Sequence, residues 1–189
     1  MNRQITLGQY RTIDLTILLV VQAISQFAIH YAATILYPDQ LYVVSPIATV
    51  VALVMMRWSG YAAIHASVGG ALFALVAGGN WHHFLIYGVG NLFSMAALVM
   101  FKLFDKERIR KDAFLTLVFA FLTQVLMQLG RSAVAALLGY PAGICIGFIT
   151  TDVLSILFTL VIVWSIRRVE GLFEDQKHYL LRTQSEHKS

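Results

Sequence analysis

Long apolar runs, separated by turns of only a few residues, recur through nearly the whole of this 189-residue chain. About 20 apolar residues suffice to cross hydrocarbon as a helix. No water is available there to pair with backbone N–H and C=O groups, so a crossing segment must satisfy them internally. Hydropathy and helix breakers together mark six segments, Thr12–Leu36, Leu41–Met56, Tyr61–Ala77, Phe84–Leu103, Ala113–Leu138 and Ala142–Ile166. Three turns, Tyr37-Pro38-Asp39-Gln40, Gly78-Gly79-Asn80-Trp81 and Gly139-Tyr140-Pro141, follow from proline geometry and glycine permissiveness. The second segment is short and contains Pro46, which predicts a broken, little-tilted or partly re-entrant element. The expected architecture is an all-α integral membrane protein. It is a single transmembrane domain over residues 1–189, a six-helix bundle followed by a polar tail from residue 167. The run Ile13–Leu36 is too long for the core of a cleavable signal.

Charge placement gives the orientation. Only 13% of residues are charged and mean hydropathy is +0.71, against about a quarter charged in soluble domains. Arg3 and Arg11 precede the first segment, and Arg57 separates the second from the third. Lys102, Lys106, Arg108, Arg110 and Lys111 surround the connection between the fourth and fifth. Arg167, Arg168, Lys177, Arg182 and Lys188 follow the sixth. The three remaining connections carry no lysine or arginine, so the positive-inside rule puts both termini in the cytoplasm. Basic residues that flank apolar spans explain the formal charge of +4 without a nucleic-acid partner. One of the fourteen basic residues breaks the pattern: Arg131 lies deep inside an apolar segment. An intramembrane arginine is a functional-site hypothesis by default.

A polar layer accompanies it. Arg131 lies eight residues before the Gly139 turn, roughly 12 Å along a helix. Gln124 and Gln128 precede it at i−7 and i−3 on one face. Asp152 lies eleven residues past Gly139-Tyr140-Pro141, roughly 16 Å down the neighbouring helix, with Ser155 and Thr159 continuing its face. Asn91 sits at a depth like that of Arg131, with Tyr87 one turn above it. Two readings follow. Arg131 and Asp152 form an ion pair that only locks helices together, or the layer lines a small-molecule cavity of apolar walls with a few convergent polar groups. Tyr37, Trp81, His82, His83 and Tyr140 form an interfacial aromatic belt, or Trp81 and the neighbouring histidines roof that cavity.

Other features have simpler expectations. Gln22, Gln26 and His30 make a stripe suited to interhelical hydrogen bonds, and His65 reads as a packing histidine. Ala62, Ala66, Gly70, Ala74 and Gly78 form a four-residue-spaced ridge that admits a close helix neighbour. Ala28 with Ala32, and Gly143 with Gly147, are shorter versions. Internal packing is expected for the third and sixth segments, with an exposed docking surface as the alternative. Cys145, the single cysteine, has neither a disulfide partner nor metal-site spacing. No G-x-S-x-G, H-E-x-x-H or P-loop pattern occurs, so no catalysis and no cofactor are expected. Bis-histidine haem ligation by His30 with His82 or His83, or another redox role, remains an alternative. So does a non-catalytic membrane assembly or scaffold protein.

Six short spans in fewer than 200 residues, tiny external turns, and polar groups on the last three spans together resemble the substrate-binding S component of energy-coupling factor (ECF) transporters. The tail from Gly171-Leu172-Phe173-Glu174-Asp175-Gln176 to Arg182 is similar to tails of some such proteins. The resemblance covers nearly the whole chain and rests on organisation more than on a motif. It implies a non-enzymatic subunit of a bacterial or archaeal cell membrane that binds a vitamin or related micronutrient. The partners would be a transmembrane coupling subunit and two ATPases. It assigns substrate contacts to Trp81, His82, Tyr87, Asn91, Gln128, Arg131, Tyr140 and Asp152. Docking on the coupling subunit would use Ala28 and Ala32, or alternatively Ala66, Gly70 and Ala74. Among vitamins, cobalamin is the first expectation, with folate, pantothenate or a phosphate ester as anions that one arginine would suit.

Overall fold

A computed structural model describes residues 6–36 and 44–186. The Tyr37–Gln40 turn and the start of the second segment lie outside them. Among the described residues every regular element is helical: α1 (Leu7–Leu36), α2 (Ile47–Trp58), α3 (Ala62–Val76), α4 (Trp81–Gly90), α5 (Met100–Leu103), α6 (Lys106–Lys111), α7 (Ala113–Leu137), α8 (Ala142–Thr150), α9 (Val153–Ile166) and α10 (Gln176–Glu186). Five stretches, Leu7–Leu36, Ile47–Val76, Trp81–Leu103, Ala113–Leu137 and Ala142–Ile166, are long and apolar enough to cross a membrane. The second of these is folded back on itself. Ser59 takes φ 51°, outside the helical basin. Ile47 Cγ2 lies 3.4 Å from where a Cβ on Gly69 would be. Twenty-two residues of continuous helix would hold those positions roughly 33 Å apart. Thus α2 and α3 run antiparallel.

The helix α2 is the column of the fold. All twelve of its residues are buried, as expected for a helix that is apolar all round. Pro46 stands at its N-cap, where a missing N–H costs no helical bond. The Ser45 N–H donates to Ser155 Oγ (3.0 Å) and Thr49 Oγ1 to Thr159 Oγ1 (3.2 Å). Equal offsets on the two stretches mean that α2 and α9 run parallel. Around the column pack Phe119, Ala120 and Met127 of α7, Val163 of α9, and Phe173 beyond it.

Two expected spans depart from regular α-helix. From Asn91 to Val99 the fourth is a 3-10 helix, in which residues three apart share a face. Asn91, Ser94, Ala97 and Met100, at that spacing, are all buried. The sixth breaks between α8 and α9, at Thr151 and Asp152. The expected turns at Gly78 and Gly139 are present, with φ of 66° and 82° that a side chain would resist.

The small-residue ridges divide. Ala62, Ala66, Gly70 and Ala74 are buried. A Cβ on Gly70 would collide with the Tyr87 carbonyl, so α4 packs directly on the ridge. Ala66, Gly70 and Ala74 are therefore interior packing residues, and their assignment to partner docking is wrong. Gly143 and Gly147 depart in the opposite sense, since among the described residues an added Cβ at either meets nothing within 4 Å. The described residues thus supply no close packing at these two positions of the sixth segment. Ala28 and Ala32 are exposed on α1.

The basic end is closed by polar contacts. Arg57 donates from Nε and Nη2 to both Asp14 carboxylate oxygens (2.9 and 2.6 Å), and from Nη1 to the Gly171 and Leu172 carbonyls (2.6 and 2.8 Å). Trp58 Nε1 also donates to Asp14. Residues 171–182 lie across this end: Tyr10 donates to Gln176 (3.0 Å), Lys106 pairs with Asp175 (2.7 Å), and Arg110 lies 3.7 Å from Glu174. Burial pushes the Asp175 carboxyl up, but Lys106 and the His178 N–H outweigh it, leaving it below its ordinary value of 3.8. A depressed carboxyl stabilises the fold at higher pH, and that stability is lost as pH falls through its folded value.

Two outcomes follow. Gly130→Ala, whose Cβ would strike the Gly90 carbonyl, should cost about 1–3 kcal/mol. Gly143→Ala should stay within about 0.5 kcal/mol of wild type. Melting in one detergent compares them, and equal melting temperatures would refute the close α4–α7 contact. A spin label on Lys177→Cys, in a Cys145→Ala background, should be immobile at neutral pH. It should mobilise as pH falls below the ordinary carboxylate value, and at neutral pH already in Lys106→Met. Mobility that ignores both changes counts against the cap.

Candidate functional site

The polar layer is assembled by one backbone contact. At the crossing of α4 and α7, a Cβ on Gly90 would come within 2.8 Å of Arg131 Cα. One on Gly130 would strike the Gly90 carbonyl. Only glycine on both helices allows this approach, and it sets Asn91 beside Arg131. Arg131 is 4% exposed. Its Nε donates to Asn91 Oδ1 (2.7 Å) and its Nη1 to Gln128 Oε1 (3.1 Å). Nη2 meets the Met127 thioether at 3.4 Å. The guanidinium carbon lies 4.9 Å from the centre of the Tyr87 ring, within cation–π range. Asn91 is held in turn by donating to the Ala66 carbonyl (3.1 Å).

Asp152 approaches from the break between α8 and α9. Its Oδ2 lies 3.7 Å from Arg131 Nη1 and accepts from Gln124 Nε2 (3.0 Å) and from Gln128 Nε2. Gln128 therefore bridges the pair, accepting from the cation with its oxygen and donating to the anion with its nitrogen. Spacing of three and seven residues on α7 is what lets Gln124, Gln128 and Arg131 act together.

Both charged groups line a cavity of about 330 Å³, together with Ser45, Phe73, Tyr87, Gln128, Phe148 and Thr151. This volume is at the small end of the roughly 300–1,000 Å³ of small-molecule pockets. Tyr87 is the hinge of an aromatic wall, with ring centres 4.7 Å from Phe73 and 6.0 Å from Phe148. The break at Thr151 and Asp152 matches the general preference for interrupted helices where backbone faces a cavity.

The expected site residues separate into three places. Tyr87, Gln128, Arg131 and Asp152 line the cavity. Asn91 does not line it, and holds Arg131 from behind. Trp81, His82 and Tyr140 form a surface cluster outside the lining. The Trp81 and His82 ring centres are 4.1 Å apart, and Tyr140 Oη lies 3.4 Å from His82 Nδ1. Trp81 is 63% exposed. His83 closes a capping box with Asn80 at the start of α4. His65, buried, exchanges hydrogen bonds with Gln22 through its Nδ1 and carbonyl, which is the packing role expected of both. The lining residues Ser45, Phe73, Phe148 and Thr151 escaped sequence reading. Phenylalanine in an apolar helix carries no signal of its direction, and Ser45 and Thr151 sit at helix ends that only the fold brings together.

No protein-family model, curated protein or solved structure matches this chain. The class that its own fold defines is an all-helical protein with several helices apolar and long enough for a membrane.

Asn91 serves the guanidinium alone among the acceptors on α4 and the 3-10 segment. Asn91→Ala should cost about 1.5–3 kcal/mol, the usual worth of a hydrogen bond to a charged group. Ser94→Ala, which removes a donor to the Asn91 carbonyl, should cost less. Chemical denaturation in detergent ranks the two, and the reverse order would refute the role given to Asn91.

Proposed function

We propose that this chain is the substrate-binding subunit of an ECF-type importer for a vitamin or related micronutrient, acting without catalysis of its own. The observation that carries the reading is the cavity in which a buried arginine, its carboxylate partner and an aromatic wall meet at a helix break. Taking the α2–α3 hairpin as two crossings gives six spans. The basic residues then fall at one end, with both termini in the cytoplasm of a bacterial or archaeal cell by the positive-inside rule. The cavity lies towards the other end and would receive substrate from outside.

The partner side of the proposal rests on α1. Only 11% of its most apolar window is buried, and Ile13, Ile17, Val20, Ile24 and Phe27 are exposed along it. Lipid or a coupling subunit would cover this face, with Ala28 and Ala32 offering the close approach. Two partner ATPases would supply nucleotide hydrolysis. On substrate, a cavity of about 330 Å³ favours a small vitamin or precursor over a corrinoid, so cobalamin loses its place as first choice. The engagement of Arg131 by Asp152 and Gln128 equally weakens the case for a carboxylate ligand such as folate or pantothenate.

The test is a calorimetric screen of the purified chain in nanodiscs against vitamins and their precursors, followed by uptake with coexpressed coupling and ATPase subunits. One ligand should bind one to one. Arg131→Gln should weaken it about ten- to a hundredfold, the loss of one charge-assisted hydrogen bond. Unchanged affinity in a folded Arg131→Gln protein, or no ATP-dependent uptake with any coupling subunit, would overturn the reading.

A further inference from the structure

We propose that the cavity selects an uncharged, ring-bearing small molecule with a hydrogen-bond acceptor and donor side by side, as on a carboxamide or lactam edge, and that Asp152 turns anions away. This rests on reading the cavity as a ligand site and names the class of ligand.

Charge is the first ground. Among the described residues, Arg131 and Asp152 are the only charged side chains on the lining, and they cancel. Their side chains are 5% and 19% exposed, so little water screens them. An entering carboxylate would bring one unmatched negative charge into this setting, beside Asp152, and would have to take Arg131 from partners already bound. Desolvating an ion without a free counter-charge is strongly unfavourable. A neutral ligand meets no such barrier.

Hydrogen-bonding capacity is the second. Four of the five guanidinium N–H groups are served or shared by Asn91, Gln128 and Asp152 or turned to sulfur. A thioether is a weak acceptor, so Arg131, which lines the cavity, keeps donor capacity for a ligand carbonyl oxygen. Ionised Asp152 only accepts, and it faces the same space. Thr151 donates its hydroxyl hydrogen to the Gly147 carbonyl at 2.7 Å, which leaves its oxygen as an acceptor at the rim. The lining thus offers a donor on Arg131 with the Asp152 acceptor beside it and a second acceptor on Thr151. A C=O beside an N–H on the ligand is the complement.

Shape is the third. Phe73, Tyr87 and Phe148 present ring surface on one side of a cavity of about 330 Å³. Flat rings gain offset or edge contacts with such a wall beyond simple burial. One or two fused rings with a short polar arm fill this volume.

The test compares matched pairs on the full chain in nanodiscs at neutral pH: nicotinamide with nicotinate, and indole-3-acetamide with indole-3-acetate. Calorimetry should show each amide binding about tenfold or more tighter than its acid. Asp152→Asn keeps an acceptor for Gln124 and Gln128 but leaves Arg131 without a counter-charge, so it should reverse the preference in both pairs. Should that variant fail to fold, Thr151→Val should weaken the amides and leave the acids unchanged. Acids that bind as well as amides, no binding of either amide, or a preference that both variants leave untouched would overturn the assignment. Failure of the importer reading looks different: amide selectivity stays intact while no coupling subunit supports uptake.

Discussion

A guanidinium removed from water dictates the middle of this bundle. It carries five donors and a charge that hydrocarbon does not solvate, so acceptors must reach it from its own and neighbouring helices. Gln128 does so from α7 itself, and Asn91 and Asp152 from two other stretches of chain. Such reach fixes how closely those stretches lie and at what register. The glycine contact at Gly90 and Gly130 is the steric condition for it, because any side chain there would hold α4 and α7 apart. The 3-10 winding that starts at Asn91 then turns Asn91, Ser94, Ala97 and Met100 inward in one row. Polar satisfaction and apolar packing thus make the same demand on the same helix.

The two ends of the molecule are held differently. At the basic end Arg57 ties α1, α2 and the segment after α9 together through Asp14, Gly171 and Leu172, and Lys106 and Arg110 add contacts to the tail. At the cavity end α8 has mostly exposed residues and rests on α7. It joins α9 through the break at Asp152. Of its residues Cys145 is buried, against all twelve of α2.

How much of this could be read from sequence depended on whether a residue's role is local. The stripe Gln124, Gln128 and Arg131 was legible because helical periodicity alone puts those side chains together. Asp152 and Asn91 were legible as a depth, counted from turns, because a spanning helix converts residue number into height. The contact of Asn91 with Arg131 was not, since it depends on the crossing at Gly90 and Gly130. Spacing on α3 announced a close helix neighbour but not which one, and α4 turned out to fill that place. Trp81, His82 and Tyr140 were grouped with the site by height, yet a ring at the surface and a ring on a cavity wall have the same height. Asp14 lies near the start of a long apolar run, and its bond to Arg57 joins α1 to α2 across 43 residues of sequence, which helical spacing does not bring together.

Stability does not account for the pair at the centre. Well-packed apolar side chains in place of a buried ion pair are commonly as stable or more so, whereas removing one partner is costly. Neither Arg131 nor Asp152 is needed to bury α2, which packs on apolar side chains of α7 and α9. The pair does change what a cavity of this size can hold. Without it, the aromatic wall would accept any small apolar molecule, and with an unpaired arginine it would favour any small anion. Linked through Gln128, the two charges leave the described lining polar and yet neutral. That combination excludes both of those classes and leaves neutral molecules able to donate and accept at neighbouring atoms.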